Sequence, residues 1–155
     1  MTPGFWPRLI VFAAVTAITA WIGGRFTARG LGPWYDGLPK PSWTPPGAAI
    51  AAVWTILFAL IAVASAIVWS SRRPAAYTLA LGLNLVLNVS WSYLFFARRA
   101  PSAALPELVM LEATCVALVL LAWPVSRLAA GLLLPYPIWV AFAGFLNWSI
   151  VKMNA

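Results

Sequence analysis

Two asparagines and a set of tryptophans carry most of the chemistry this chain can offer. In Gly82-Leu-Asn84-Leu-Val-Leu-Asn88-Val-Ser-Trp91-Ser92 the amides stand four apart, and Trp91 and Ser92 continue their line. A helix would place all four on one face. Carboxamides facing lipid are costly, so this face turns inward. There it either bonds neighbouring helices or fixes a ligand. Tyr136, Trp139, Ala143 and Asn147 repeat the pattern in steps of three and four, and Trp54 with Phe58 adds a third stripe. Pro135 and Pro137 stand near the start of the second stripe, where a ring without an N–H distorts a helix and frees carbonyls. Three such stripes can wall a mostly aromatic cavity with a few polar fixing points. That suits a flat apolar ligand stacking on indole faces.

The remaining candidates are few. Glu107 follows Pro106 near a helix start, where a carboxylate is favoured by the helix dipole, and it reads as an interfacial first-turn acid. Glu112 lies deeper. It reads as a proton or cation site, or as a protonated acid bonded to a neighbouring helix. The two are five apart and do not share a face. The chain has no histidine, which removes the commonest metal ligand and general base. No paired-carboxylate site and no phosphate loop is present, so hydrolytic and metal chemistry find no support. Cys115 has no visible activator and reads as a packing residue.

The elements that must hold these residues follow from composition. Of 155 residues, 63% are hydrophobic and 8% are charged, and the mean hydropathy is +0.90. Soluble domains carry roughly 25% charged residues. So apolar and short a chain belongs in a membrane, which nearly excludes a soluble enzyme. The net charge of +7 comes from cations placed singly or in pairs between long apolar runs. That is the pattern of span ends, not of a nucleic-acid stripe. Charge-free stretches predict an all-α, multi-pass membrane domain of five helices, near 5–24, 47–70, 76–97, 103–123 and 128–151. The first reads as a retained span rather than a signal peptide, because the segment before its apolar core is only weakly basic. Trp6, Trp21, Trp69 and Trp123 lie near span ends and suit the interfacial belt.

Short links after helices two, three and four predict an up-down bundle. Residues 25–46 are different: a long connection stiffened by Pro33, Pro39, Pro41, Pro45 and Pro46, with Trp34, Tyr35 and Trp43 among them. It is expected to lie as a lid on one end of the bundle. Arg25, Arg29, Lys40, Arg98, Arg99 and Lys152 fall at that end, against Arg8, Arg72, Arg73 and Arg127 at the other. The bias favours the long loop and the C-terminus inside.

The loop Trp34-Tyr-Asp-Gly-Leu-Pro-Lys-Pro-Ser-Trp43-Thr-Pro-Pro46-Gly, followed by Val53-Trp54-Thr-Ile-Leu-Phe58, closely resembles the TspO/MBR family. These are the tryptophan-rich sensory proteins of bacteria and the mitochondrial translocator protein, or peripheral benzodiazepine receptor. The Asn84, Asn88, Trp91 pattern and Pro135-Tyr136-x-x-Trp139 through Leu146-Asn147 match later motifs in order. The resemblance implies a five-helix bundle, usually a homodimer in a bacterial membrane, with a pocket under the first loop. Residue by residue, it puts Tyr35, Pro45, Trp54, Phe58, Asn88, Trp91, Trp139 and Ala143 in that pocket. The stripe pattern adds Asn84, Tyr136 and Asn147.

By the same resemblance the ligand is protoporphyrin IX, a related tetrapyrrole or a drug-like apolar molecule, with no cofactor required. Its propionates would meet Arg25, Arg29 or Lys40. Three functions stay open: a tetrapyrrole receptor or sensor, an enzyme degrading protoporphyrin in light through Trp54 and Trp139, and a porphyrin or sterol translocator. The sterol motif is altered here: Trp148 stands between Leu146 and Lys152 where a tyrosine belongs. With no histidine for an axial bond, stacking on a metal-free porphyrin is the simpler expectation.

Overall fold

A computed structural model describes residues 4–71 and 74–155; Arg72 and Arg73 of the second link lie outside the described residues. Among the described residues, five helical spans, Phe5–Gly30, Gly47–Ser71, Ala75–Ala97, Pro101–Ala122 and Arg127–Met153, are long and apolar enough to cross a membrane. The chain is an all-α, multi-pass integral membrane protein. In chain order the elements are α1 (Phe5–Gly30), α2 (Pro33–Gly37), α3 (Gly47–Ser71), α4 (Ala75–Ser92), a π-helical turn (Tyr93–Ala97), α5 (Pro101–Ala122), α6 (Arg127–Leu133) and α7 (Pro135–Met153). Large apolar side chains such as Ile10, Leu79, Val109 and Ile138 are exposed, as lipid-facing positions must be.

Three boundaries depart from the sequence expectation, each for a local reason. The first span runs on to Gly30, so Arg25 and Arg29 sit on α1 and the connection is correspondingly shorter. A Cβ at Gly30 would stand 2.6 Å from the Phe96 carbonyl oxygen, so only glycine lets α1 approach the π-helical turn this closely. Gly32, at φ +96°, then turns the chain, and Pro33 opens the short α2 as a first-turn proline. The fifth span is two helices. Ser126 caps α6 by accepting from Ala129 N at 3.2 Å, and Leu134 joins α6 to α7 immediately before Pro135 and Pro137.

Packing runs α3–α1–α4–α5–α7, and α6 closes the ring against α3 and α5. The break at Leu134 therefore gives the two halves of the last span different neighbours. α6 fills the α3 side, whereas α7 lies along α5 and has no extensive backbone packing with α3. Elsewhere buried polar pairs tie the helices, with Ser65 and Tyr77 hydroxyls 3.0 Å apart and Trp69 Nε1 donating to Thr78 Oγ1 at 2.9 Å. Trp69 also packs edge-on against Phe12, so it belongs to the helix contacts more than to an interfacial belt.

Candidate functional site

The inward amide face of α4 is committed to the protein itself. Asn84, fully buried, donates to Thr114 Oγ1 at 2.9 Å and to Cys115 Sγ at 3.4 Å, and accepts from the Tyr136 hydroxyl at 3.0 Å. Asn88 donates to that same hydroxyl at 3.2 Å. One turn on, Trp91 Nε1 donates to Asn147 Oδ1 at 3.2 Å, and Asn147 Nδ2 reaches the Pro101 carbonyl at 2.8 Å. Asn84 thus ties α4 to α5 and α7, Asn88 ties α4 to α7, and Asn147 ties α7 to α4 and to the start of α5. Of the two uses the sequence left open for it, this structure realises the interhelical one. Cys115 is buried and serves as packing and a weak acceptor.

The aromatic residues fall into two assemblies. Under α2, Trp34 meets Phe95 edge-on, Tyr35 meets Phe96, and Trp91 lies beside both phenylalanines at 5.3 and 5.9 Å between ring centres. The Lys40 ammonium sits over the Tyr35 ring and donates to the Tyr35 and Leu38 carbonyls, which pins the loop there. Burial, and then the neighbouring Asp36 carboxylate, raise the Tyr35 phenol above its usual range. Arg25, Arg29, Arg99 and Lys152 lie over Trp21, Phe26, Trp34 and Trp148 at the same end of the bundle.

The second assembly borders the gap between α3 and α7. Trp54 tilts onto Phe58 on its own helix and reaches across to Tyr136 edge-on at 6.2 Å. Trp139 packs on Phe142 at 5.2 Å. From the loop, Trp43 stacks on Phe145 at 5.4 Å and meets Phe142 at 5.9 Å. Beside these lies an open-sided cavity of about 600 Å³, lined by Val53, Ile56 and Leu57 of α3, by Gly131 and Leu134, and by Pro135, Ile138, Trp139 and Phe142 of α7. Trp139 is the one residue of that lining with a polar side-chain atom, and its Nε1 is buried away from the open cavity, without a partner. An indole N–H in that state is a spare donor.

The predicted residues are therefore not one cluster. Trp54, Phe58, Tyr136 and Trp139 gather around the α3–α7 gap, Tyr35 lies with Trp91 under α2, and Asn84, Asn88 and Asn147 knit the helices behind. Pro45 and Ala143 are half-buried, in the loop and on α7. The acids reverse the expectation. Glu107 lies beyond the first turn of α5, which opens at Pro101, and is buried with neither carboxyl oxygen bonded. Glu112 is only partly buried, with Oε2 unpartnered. Residues 104, 107, 111, 114 and 118 form one buried stripe, which carries Glu107 inward. Among the described residues no cluster of His, Cys, Asp or Glu could hold a metal ion.

The sequence profile of the TspO/MBR family matches residues 11–153. The chain belongs to that family. TspO/MBR relatives resemble it over most of their length. The tryptophan-rich protein TspO of Bacillus cereus is 37% identical over 123 residues, covering 78% of this chain and 80% of the relative. The translocator protein of Homo sapiens is 34% identical over 157 residues, covering 96% and 91%. Protein CrtK of Rhodobacter capsulatus is 32% identical over 151 residues, covering 94% of each. Within this TspO/MBR chain, the residues that sequence reasoning passed over are Phe142, Phe145 and Thr114. Phe142 follows Trp139 by one helical step, a signal the sequence did contain. Thr114 matters only because α5 happens to face Asn84.

Proposed function

We propose that this TspO/MBR protein is a membrane receptor for tetrapyrroles such as protoporphyrin IX and for drug-like apolar ligands, acting as a homodimer. The observation that carries this reading is the α3–α7 gap. There the two helices have little backbone packing and are bridged by Trp54 and Tyr136, beside an apolar cavity walled in part by the Trp139 and Phe142 rings. Flat π-systems gain most from such walls. The cationic end of the bundle, with Arg25, Arg29 and Lys40, gives propionates a place at the membrane surface. Titrating the protein with protoporphyrin IX should quench tryptophan emission, and Trp54→Phe and Trp139→Phe should weaken that binding. Unchanged binding in both variants would sink the assigned site. Chemical cross-linking in mild detergent tests the dimer, which requires a species of twice the chain mass.

A second reading shares the same indoles. With Trp139 lining the cavity, a bound porphyrin would lie against a readily oxidised ring, which supports light-dependent porphyrin degradation. Illuminating the complex and recording spectra separates the two. Bleaching that proceeds equally without protein, or with Trp54→Phe, leaves only the receptor.

A further inference from the structure

The loop end of the bundle carries more positive charge than the chain can neutralise. Arg25, Arg29, Lys40, Arg98, Arg99 and Lys152 fall there, and of the chain's three acids only Asp36 lies outside the spans. Three of these arginines gather at one seam. The end of α1 abuts the π-helical turn so closely that a Cβ at Gly30 would meet the Phe96 carbonyl. Arg29 precedes Gly30 and Arg98 follows Phe96 by two residues, so their backbones flank that contact. Beside it Phe26 meets Tyr93 edge-on at 5.2 Å, and the Arg29 guanidinium lies 5.4 Å from the Phe26 ring centre. One turn back along α1, Arg25 lies over Trp21 at 5.7 Å. All three arginines are exposed.

The seam continues into the membrane as apolar surface. Ile18, Ile22, Phe26 and Arg29 follow along α1 in steps of three and four, so they share one face. Val86, Val89 and Tyr93 do the same on the opposite wall. The Phe26–Tyr93 contact sets the two faces side by side, and Ile18 and Val86 are 58% and 63% exposed on them. Depth agrees with this arrangement. α1 has 26 residues, roughly 39 Å at 1.5 Å each, against a hydrocarbon core about 30 Å thick. Trp21 is exposed and suits the interface. The last turns of α1, with Arg25 and Arg29, therefore stand at the level of the lipid phosphates.

We propose that this seam binds an anionic phospholipid. The headgroup phosphate meets Arg29 and Arg98, with Arg25 at the edge, and an acyl chain lies on the apolar surface between α1 and α4. A guanidinium offers a phosphate two parallel N–H bonds, and each one here stands free of any carboxylate beyond the single Asp36 of that end. Charge selects the lipid. A zwitterionic headgroup brings a cation of its own into the arginines, whereas phosphatidylglycerol brings only the negative charge. Charge also disfavours a second copy. A two-fold axis along the membrane normal would set the same arginines against one another. Arg25 and Arg29 are also the residues offered to porphyrin propionates, so the test has to separate the two uses.

Native mass spectrometry of the full chain, titrated with phosphatidylglycerol or phosphatidylcholine of matched acyl chains, provides the test. Wild-type protein should hold one phosphatidylglycerol about ten-fold more tightly than phosphatidylcholine. Arg29→Gln and Arg98→Gln should each weaken phosphatidylglycerol about three-fold, and together they should abolish the preference. Arg127→Gln removes one charge at the other end and should change nothing. The substituted side chains are exposed, so circular dichroism should show one fold throughout. Equal binding of the two lipids by wild-type protein would overturn the proposal, as would an equal loss in Arg127→Gln. A species of twice the chain mass that takes up no phosphatidylglycerol would put a second copy on the seam instead. A lipid preference kept in the double variant, with porphyrin binding lost, would give the arginines to propionates. Failure of wild-type protein to bind porphyrin, with the lipid preference intact, would remove the tetrapyrrole reading and leave the lipid site standing.

Discussion

The two sides of α7 are built on opposite principles. Toward α4 and α5, Tyr136 and Asn147 enter networks in which Asn84, Asn88, Thr114, Trp91 and a backbone carbonyl find partners. Toward α3, Trp139 presents an indole whose N–H has none, beside a cavity walled by aliphatic and aromatic carbon. Both sides carry a polar atom into the interior of a membrane protein, where an unsatisfied one is costly. The bonded network fixes how three helices sit, although Glu107 on the same buried stripe of α5 keeps both carboxyl oxygens unbonded. The other side leaves an indole N–H buried without a partner, next to an open apolar cavity. The difference locates function more sharply than the density of tryptophans does, since the chain has ten of them.

The largest expected effect comes from breaking the satisfied side. Asn84→Ala removes two donated bonds and one accepted bond. At about 0.6 kcal/mol for an average interhelical bond in a membrane, the loss is about 2 kcal/mol. That corresponds to a fall in detergent melting temperature of roughly 5 °C. Thermal unfolding followed by circular dichroism checks it, and a melting temperature within a degree of wild type would show that this network does not hold the bundle. Ligand affinity should change little, because no atom of Asn84 is exposed to the α3–α7 cavity.

Trp139→Phe should behave in the opposite sense. No hydrogen bond is lost, because none is made, so only the smaller ring registers, at less than about 1 kcal/mol. Porphyrin affinity, not melting temperature, should register the change. A Trp139→Phe protein that melts well below Asn84→Ala would reverse the comparison and make the indole a structural prop.

How much of this was legible beforehand follows from range. The spans were legible because apolar length and charge at the ends are local properties of the chain. The inward turn of Asn84 and Asn88 was legible for the same reason, since four residues is one helical turn. Their partners were not. Thr114 lies thirty residues along the chain from Asn84, and nothing local says which residue of α5 will stand opposite. Glu107 was read as an interfacial acid from Pro106 just before it, yet α5 begins at Pro101 and carries Glu107 past the first turn to a buried position. The α3–α7 cavity was invisible for a further reason. It depends on α6 and α7 choosing different neighbours, and Pro135 and Pro137 announce only that the helix is disturbed, not which way it leans.

The smallest effect tests the open side without any ligand. Gly131→Ala adds a methyl group where no atom beyond its own stretch of helix lies within 4 Å, in the interior of α6. Glycine in a helix costs about 0.5–1 kcal/mol relative to alanine, through the backbone freedom it loses on folding. If the cavity is as open as the fold implies, alanine recovers that amount with no clash to offset it. The melting temperature then rises by about 2 °C. At Gly30 the same substitution meets the Phe96 backbone at 2.6 Å, and Gly30→Ala should lower the melting temperature instead. The two glycines sit in helices of one chain under one backbone rule, so an opposite sign between them isolates the space around each. A fall in stability at Gly131 would mean that lipid or protein already fills the cavity tightly, and the contrast between the two sides of α7 would lose its physical basis.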